Sequence, residues 1–222
     1  MSHRRPQPPA AAPGDRSDAT ALAARAAADR VRAALPRDAG RCRLRPARSA
    51  DVADLQAYRG LPEVTRFLGH PPVDAEGMAQ LLDGWVADLT AVTVVAELDG
   101  RVVGDVRLTV LPCHALAPAA TDEVEARVGY AFHPAVGGRG LATAAVGTVV
   151  DLALAEGGVR RVTARVFAAA RPSSRLLARL GFHLDGVDRA AVLAPDGSGW
   201  WDDECWSLLR GDRGPGTVPG PG

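Results

Sequence analysis

Gly137-Gly138-Arg139-Gly140-Leu141-Ala142-Thr143 separates a strand-like run, Val124 to Phe132, from an apolar helical pattern that continues to Ala155. Glycines let a backbone turn tightly and come close to a ligand. The helix start that follows leaves N–H groups unpaired and carries the positive end of the helix dipole. Together these features predict a cradle for an anion, a pyrophosphate above all. Two familiar nucleotide readings fail on the residues. A P-loop needs Gly-Lys, and the chain contains no lysine. A dinucleotide fingerprint needs glycine at Thr143 and an acidic residue near Arg160-Arg161, and neither is present.

The rest of the composition narrows the class. The 222 residues carry 26 basic and 26 acidic side chains, so no general electrostatic case exists for nucleic acid or an acidic membrane. All the basic residues are Arg, and Ile and Asn are absent as well, which reads as the imprint of a GC-rich genome. Cys42, Cys113 and Cys205 are widely spaced and odd in number; this argues against a disulfide framework or a zinc site and fits a cytoplasmic protein. No signal peptide is legible at the N-terminus. Gly140 to Ala155, interrupted by Asp151, is short for a membrane span.

Three regions are expected. Residues 1–40, rich in Ala, Arg and Pro, are predicted to be a largely disordered tail, with a weak Ala-rich helix over Thr20 to Leu35. Residues 41–210 form one domain, and residues 211–222 a frayed Gly/Pro end. Within the domain the pattern predicts a strand at Arg41 to Arg45, a helix from Asp51 to Arg59 and a short helix opened by Pro62. A longer helix capped by Asp74 follows, then a hairpin about Asp99-Gly100 and a loop over Leu111 to Thr121. Beyond the glycine turn come a strand (Arg161 to Phe167), a helix (Pro172 to Leu180) and two strands (Phe182 to Leu193, Trp200 to Leu209). The fold class is α/β (α+β): a mixed, mostly antiparallel sheet of about seven strands with helices on both faces.

The run Val128-Gly129-Tyr130-Ala131-Phe132-His133-Pro134, the glycine turn, and Ala170-Arg171-Pro172-Ser173-Ser174-Arg175-Leu176-Leu177-Ala178-Arg179-Leu180-Gly181-Phe182 together resemble the GNAT N-acetyltransferase superfamily. More narrowly they resemble its ribosomal-protein N-terminal acetyltransferase (Rim-type) branch, as do Leu44-Arg45-Pro46 with Asp51 and Pro62-Glu63-Val64. The family signature falls on Gly137, Gly140 and Ala142, its first position having lost the side chain. The resemblance implies acetyl-CoA as co-substrate and no metal. Gly138, Arg139, Gly140, Leu141, Ala142 and Thr143 would hold the pyrophosphate, Arg139 either adding charge or standing in solvent. It also implies that the fourth and fifth strands of that fold splay, here at Tyr130 to His133 and Val166 to Ala169. The pantetheine arm would then run beside Tyr130, Ala131 and Phe132, and an N–H near Phe132 would polarise the thioester carbonyl.

Departures from the family pattern are as informative. Ala170 replaces an Asn that hydrogen-bonds near the cofactor in many relatives, and Ser173 either caps the following helix or reaches the cofactor. Leu177 stands where some relatives place a general-acid Tyr, so thiolate protonation falls to water, Ser173 or the substrate. Candidate bases are Glu125 (against a salt-bridged strand face shared with Glu123 and Arg127) and His133 at the strand end. His70 is a candidate for the acceptor side, and Asp202 or Asp203 for holding an amine or guanidinium. Trp85 and Trp206 are expected in the core, while the adjacent Trp200 and Trp201 must face opposite ways. No cysteine stands near the glycine turn, which favours direct attack by a neutral amine in a ternary complex. The acceptor is a protein N-terminus or a small-molecule amine. The alternatives are an acyl-CoA-binding sensor or scaffold, or an interaction protein that forms a homodimer.

Overall fold

Alternating apolar residues over 42–46, 91–112 and 124–132 build the middle of the sheet, and the short turns between them set its order. The computed structural model describes residues 13–114 and 121–212, with side chains from residue 19 onward. Most of the expected C-terminal tail and the centre of the 111–121 loop lie outside the described residues. In chain order the elements are α1 (Pro13–Ala33), β1 (Arg37–Ala39), β2 (Cys42–Pro46), α2 (Val52–Arg59), α3 (Pro62–Thr65), α4 (Ala75–Ala87), β3 (Ala91–Leu98) and β4 (Arg101–Pro112). They continue with β5 (Val124–Phe132), α5 (Leu141–Ala155), β6 (Arg161–Phe167), α6 (Arg171–Arg179), β7 (His183–Leu193) and β8 (Trp200–Leu209).

The strands make one eight-stranded sheet in the order β1-β2-β3-β4-β5-β6-β8-β7. Its pairs are antiparallel except β5 with β6, where the chain crosses over through α5. The mixed sheet expected from sequence is therefore present, with β1 as one strand more. Asp74 caps α4 by accepting the Gly77 N–H at 2.9 Å, and Asp99-Gly100 turns the β3–β4 hairpin with φ of 50° and 79°.

Each face of the sheet carries its own core. On one side α1, α5 and α6 cover Val106, Leu108, Val110, Val128 and Val162. On the other, α2 and α4 enclose a smaller cluster of Leu55, Tyr58, Met78, Leu82, Val95, Val102 and Ala131. Central β3 is buried almost throughout, as a strand covered on both faces must be. No described helix is long and apolar enough to cross a membrane.

α1 corrects the expectation of a solvated tail reaching residue 40. Ala24, Ala27, Ala28 and Val31 are fully buried against the sheet. A tally of large apolar side chains misses this, because small residues let a helix lie close on its neighbour and bury area through proximity. Polar contacts hold the helix as well. Arg32 Nη2 donates to the Ala91 carbonyl at 2.9 Å, and Arg30 donates to the carbonyls of Glu156 and Gly157. From the other end of the chain, Arg210 donates to the carbonyls of Gly158 and Val159. Arg30 thus places a positive charge at the C-cap of α5, where one is favoured, and Arg210 holds the turn that follows.

Ala27→Asp places an unpaired charge in the α1–sheet contact and is expected to cost at least about 3 kcal/mol of stability. Leu22→Asp, on the exposed face of the same helix, is expected to change stability by less than about 0.5 kcal/mol. Urea unfolding of the two variants checks the difference, and equal midpoints would mean that α1 does not pack as described.

Candidate functional site

β5 is paired with β4 along its whole length, from Val124 opposite Pro112 to Phe132 opposite Gly104. With β6 it pairs only from Glu125/Arg161 to Arg127/Thr163. β6 meanwhile stays paired with β8 through Phe167/Asp203. The two strands therefore part near their middles, and a wedge opens between Val128–Phe132 and Ala164–Phe167. The parting falls where the sequence resemblance implied it.

The backbone at the wedge has a defined polarity. His133 N–H donates to the Val103 carbonyl at 2.8 Å. Successive N–H groups of a strand point to opposite edges, so those of Phe132 and Tyr130 point away from β4 and into the wedge. The Phe132 ring folds over Gly104, where an added Cβ would lie 2.1 Å from its Cδ1. Glycine at that position is what lets the strand end close on the ring.

Beyond His133 the chain makes one 3-10 turn, Pro134–Val136, and reaches the glycines. Gly138 and Gly140 have φ of 72° and 73°, the left-handed region that side chains rarely adopt. A Cβ at either would meet nothing within 4 Å, so no protein atom crowds these two positions. Gly140 is the N-cap of α5 and offers no side-chain cap. The first backbone bond of the helix is Ala144 N–H to Gly140 carbonyl, 2.9 Å. The N–H groups of Leu141, Ala142 and Thr143 are thus left for a partner outside the helix. The seven residues from Gly137 to Thr143 come together here, at the wide end of the wedge.

The remaining residues singled out in the sequence separate into two groups. Tyr130 lies against α6; its hydroxyl reaches the Ser173 carbonyl at 3.4 Å, and burial pushes its pKa well up, so it keeps its proton. Ser173 is not the cap of α6: Ala170 holds that position, and no side chain caps the helix. His133 is at the wedge, but its Nδ1 accepts the Ala135 N–H at 3.1 Å as a local cap. Glu125 is not brought to the site. It stands at the closed end, roughly 23 Å along β5 from Phe132 at strand rise, where Arg160 donates to it at 2.9 Å and Arg161 lies at 3.6 Å. The salt-bridged alternative describes it, with these two arginines as partners in place of Arg127.

Cys42 also departs from expectation. The β1–β2 turn packs on the start of α5, with Gly40 close to Ala144. The Arg139 charge consequently acts on the Cys42 thiol, though burial outweighs it and pushes the thiol up. A cysteine is therefore near the glycine turn in space, yet 2 % exposed and not activated. Asp202 accepts the Ala190 N–H at 2.8 Å. Trp206 is buried and donates to Glu204, Trp85 packs against the smaller cluster, and Trp200 is 63 % exposed.

On the α2–α4 side lies a cluster that sequence reasoning missed. Asp105, fully buried beside Ala131, receives Arg59 through Nε at 2.8 Å and Nη2 at 2.7 Å, and the Tyr58 hydroxyl at 2.6 Å. Burial first, then the Asp105 charge, holds the Tyr58 phenol well above its ordinary pKa, so it remains a donor. Arg59 also stacks on Trp85 at 4.7 Å, and the Tyr58 ring lies 6.4 Å from that of His133. The available signal was Asp105 itself, an acid between Val102-Val103-Gly104 and Val106 in an otherwise apolar strand.

Comparisons with known proteins agree with this geometry. The family model described as Acetyltransferase (GNAT) domain matches residues 41–183. Probable N-acetyltransferase YjcK of Bacillus subtilis is 34% identical over 115 residues, which are 51% of this chain and 58% of that protein; the match thus spans little more than half of the relative. Ribosomal-protein-S5-alanine acetyltransferase from Vibrio fischeri superposes with a TM-score of 0.66 at 19% identity, covering 82% of this chain and 100% of that one. Mycobacterium smegmatis RimJ, solved in complex with CoA-disulfide, gives 0.62 at 22% identity, covering 76% and 81%. At these identities the two structures establish the shared fold.

Asp105→Ala leaves the Arg59 guanidinium buried without its partner and is expected to cost about 3 to 5 kcal/mol, whereas Asp105→Leu combined with Arg59→Met recovers most of that loss. Chemical denaturation of the two variants and the parent provides the check. A loss below 1 kcal/mol in the single variant would show that the cluster is not the buried ion pair described.

Proposed function

Because the chain belongs to the GNAT acetyltransferase family, we propose that it transfers an acetyl group from acetyl-CoA to a primary amine within a ternary complex. The observation that carries this reading is the parting of β5 from β6 beside the open N-terminus of α5. A wedge edged by free N–H groups suits an extended, amide-bearing arm, and a helix start without a side-chain cap suits a diphosphate. The match in fold to ribosomal-protein acetyltransferases supports placement in the Rim-type branch.

Acetyl-CoA supplies an acyl group already activated as a thioester. The N–H groups from Gly138 to Thr143 bind the pyrophosphate, and open space over Gly138 and Gly140 leaves room for it. Arg139, exposed at the rim, adds positive charge. Tyr130 and Ala131 line the wedge, Ala170 and Ser173 flank it from α6, and the Phe132 N–H donates to the acyl oxygen, where negative charge builds as the amine attacks. The amine nitrogen must arrive neutral; it bonds to the acyl carbon as the carbon–sulfur bond breaks, then gives up a proton while sulfur gains one. His70 is the candidate proton acceptor on the acceptor side, since His133 spends its Nδ1 lone pair on the Ala135 N–H and so carries its ring proton at Nε2. The His70 Nδ1 faces the Pro71 carbonyl at 2.8 Å, which places its proton there; its Nε2 lone pair lies 3.5 Å from Arg59 Nη1, a contact that an incoming amine must displace. Burial holds all three thiols above their ordinary pKa, which supports direct attack without an acyl-enzyme.

Leu177 favours a second reading, a module that holds acyl-CoA without turnover. It is fully buried and has no proton to give to a leaving thiolate. Thiol release from acetyl-CoA with a panel of amines, run beside thermal shift with CoA, separates the two, since a shift without release selects the module. Gly140→Asp tests the cradle itself. Its Cβ meets no protein atom and Asp tolerates the left-handed region better than most residues, so the fold is expected to persist while CoA affinity falls about tenfold or more as a carboxylate meets phosphate. Unchanged affinity in calorimetry would remove the cradle from the mechanism.

A further inference from the structure

On the face of β8 that looks toward α3, one carboxylate is only half used. Asp203 is 6 % exposed, and its Oδ2 is held by Arg165 at 2.7 Å. Its Oδ1 is buried and takes no hydrogen bond from the described residues. Such an acceptor has lost water without gaining a donor, which is costly unless a ligand supplies one. Arg165 does not neutralise the corner, because it is shared with Asp188.

Aromatic residues neighbour Asp203 on this face of the sheet. Phe167 stands directly opposite Asp203 on β6, and Trp201 lies two residues back on the same face of β8. The Trp201 ring is 5.9 Å from that of Phe167 and 5.7 Å from that of Phe67, which arrives from the segment after α3. The Arg66 guanidinium rests over Phe67 at 4.9 Å and Trp201 at 5.7 Å, so these rings already accept a cation from the chain's own surface. Extending the β5–β6 register, in which Glu125 faces Arg161, sets Ala168 level with Phe132. A cavity of about 330 Å³ lined by Ala168, Ala169, Arg171, Trp200, Trp201 and Asp202 meets this corner at Trp201. The aromatic and acidic corner is thus adjacent to the end of the wedge where the acyl group would sit.

We propose that Asp203, with Trp201, Phe167 and Phe67, forms a subsite for a second positive charge on the acceptor. The substrate class is an amine that carries another cationic group, either a small diamine or a peptide with a basic residue behind its amino terminus. The distal cation donates to Oδ1 and lies against the ring faces, displacing the exposed Arg66 side chain, while the reacting nitrogen, neutral, faces the wedge. This inference rests on the transferase reading above.

The full chain with acetyl-CoA is assayed for thiol release with cadaverine against pentylamine, and with serylarginine against serylglutamine. The expected result is a kcat/KM about tenfold or more higher for the dicationic partner of at least one pair; which pair responds tells the diamine from the peptide. Asp203→Asn is expected to raise KM for the preferred dication by about tenfold, leaving pentylamine turnover and the CoA thermal shift unchanged. Turnover without preference in either pair overturns the subsite and leaves the transferase reading standing. No thiol release and no CoA shift overturns both. The comparison of amines on the unaltered protein decides the matter even where a variant fails to fold.

Discussion

The separation of two neighbouring strands governs this molecule. β5 and β6 each keep a full ladder on their outer sides, with β4 and β8 respectively. The sheet therefore stays continuous through three shared registers at one end while its middle opens at the other. Backbone groups along the opened edges need partners, which a ligand with amides of its own can supply. The wedge is not a defect of packing. Core side chains on β5 and β6 remain buried under α5, so the opening is confined to the strand edges.

Rigid polar and aromatic contacts hold the two sides of the wedge in place. On the β4–β5 side, the Tyr58–Arg59–Asp105 group ties the end of α2 to the strand beneath it. A buried ion pair of this kind adds little net stability, since desolvation offsets most of its attraction, but its geometry has few alternatives. On the β6–β8 side, Trp201 packs between Phe167 and Phe67, and Phe67 comes from the segment that follows α2 and α3. The same stretch of chain, residues 58–67, thus touches both banks.

Much of this architecture could be read in the sequence because it is written locally. Asp74 caps a helix, Asp99-Gly100 turns a hairpin, and the glycines before Leu141 start α5 within a residue of the expected place. What failed to show depends on contacts between distant segments. α1 looks unable to pack when its alanines are judged alone, and only the flat surface of the sheet makes them useful. Glu125 carries the right chemistry on the right strand, but only the parallel pairing with β6 reveals that it stands at the closed end. Cys42 is remote from the glycine turn in sequence, and it is the packing of the β1–β2 turn on the start of α5 that brings it within reach of the Arg139 charge. Asp105 gave a visible signal, an acid in an apolar strand, yet its partners lie some 46 residues earlier in the chain.

α5 is completed at one end and left incomplete at the other. Arg30 and Arg210 hold the carbonyls of its C-cap Glu156 and of the turn that follows, Gly157 to Val159. Its opening amides have no such seal. An anion docking there does for the helix what a capping side chain does elsewhere, and so becomes a structural part of the protein while it is bound. Occupancy and order in that first turn are then two descriptions of a single equilibrium, with the far end serving as its fixed anchor.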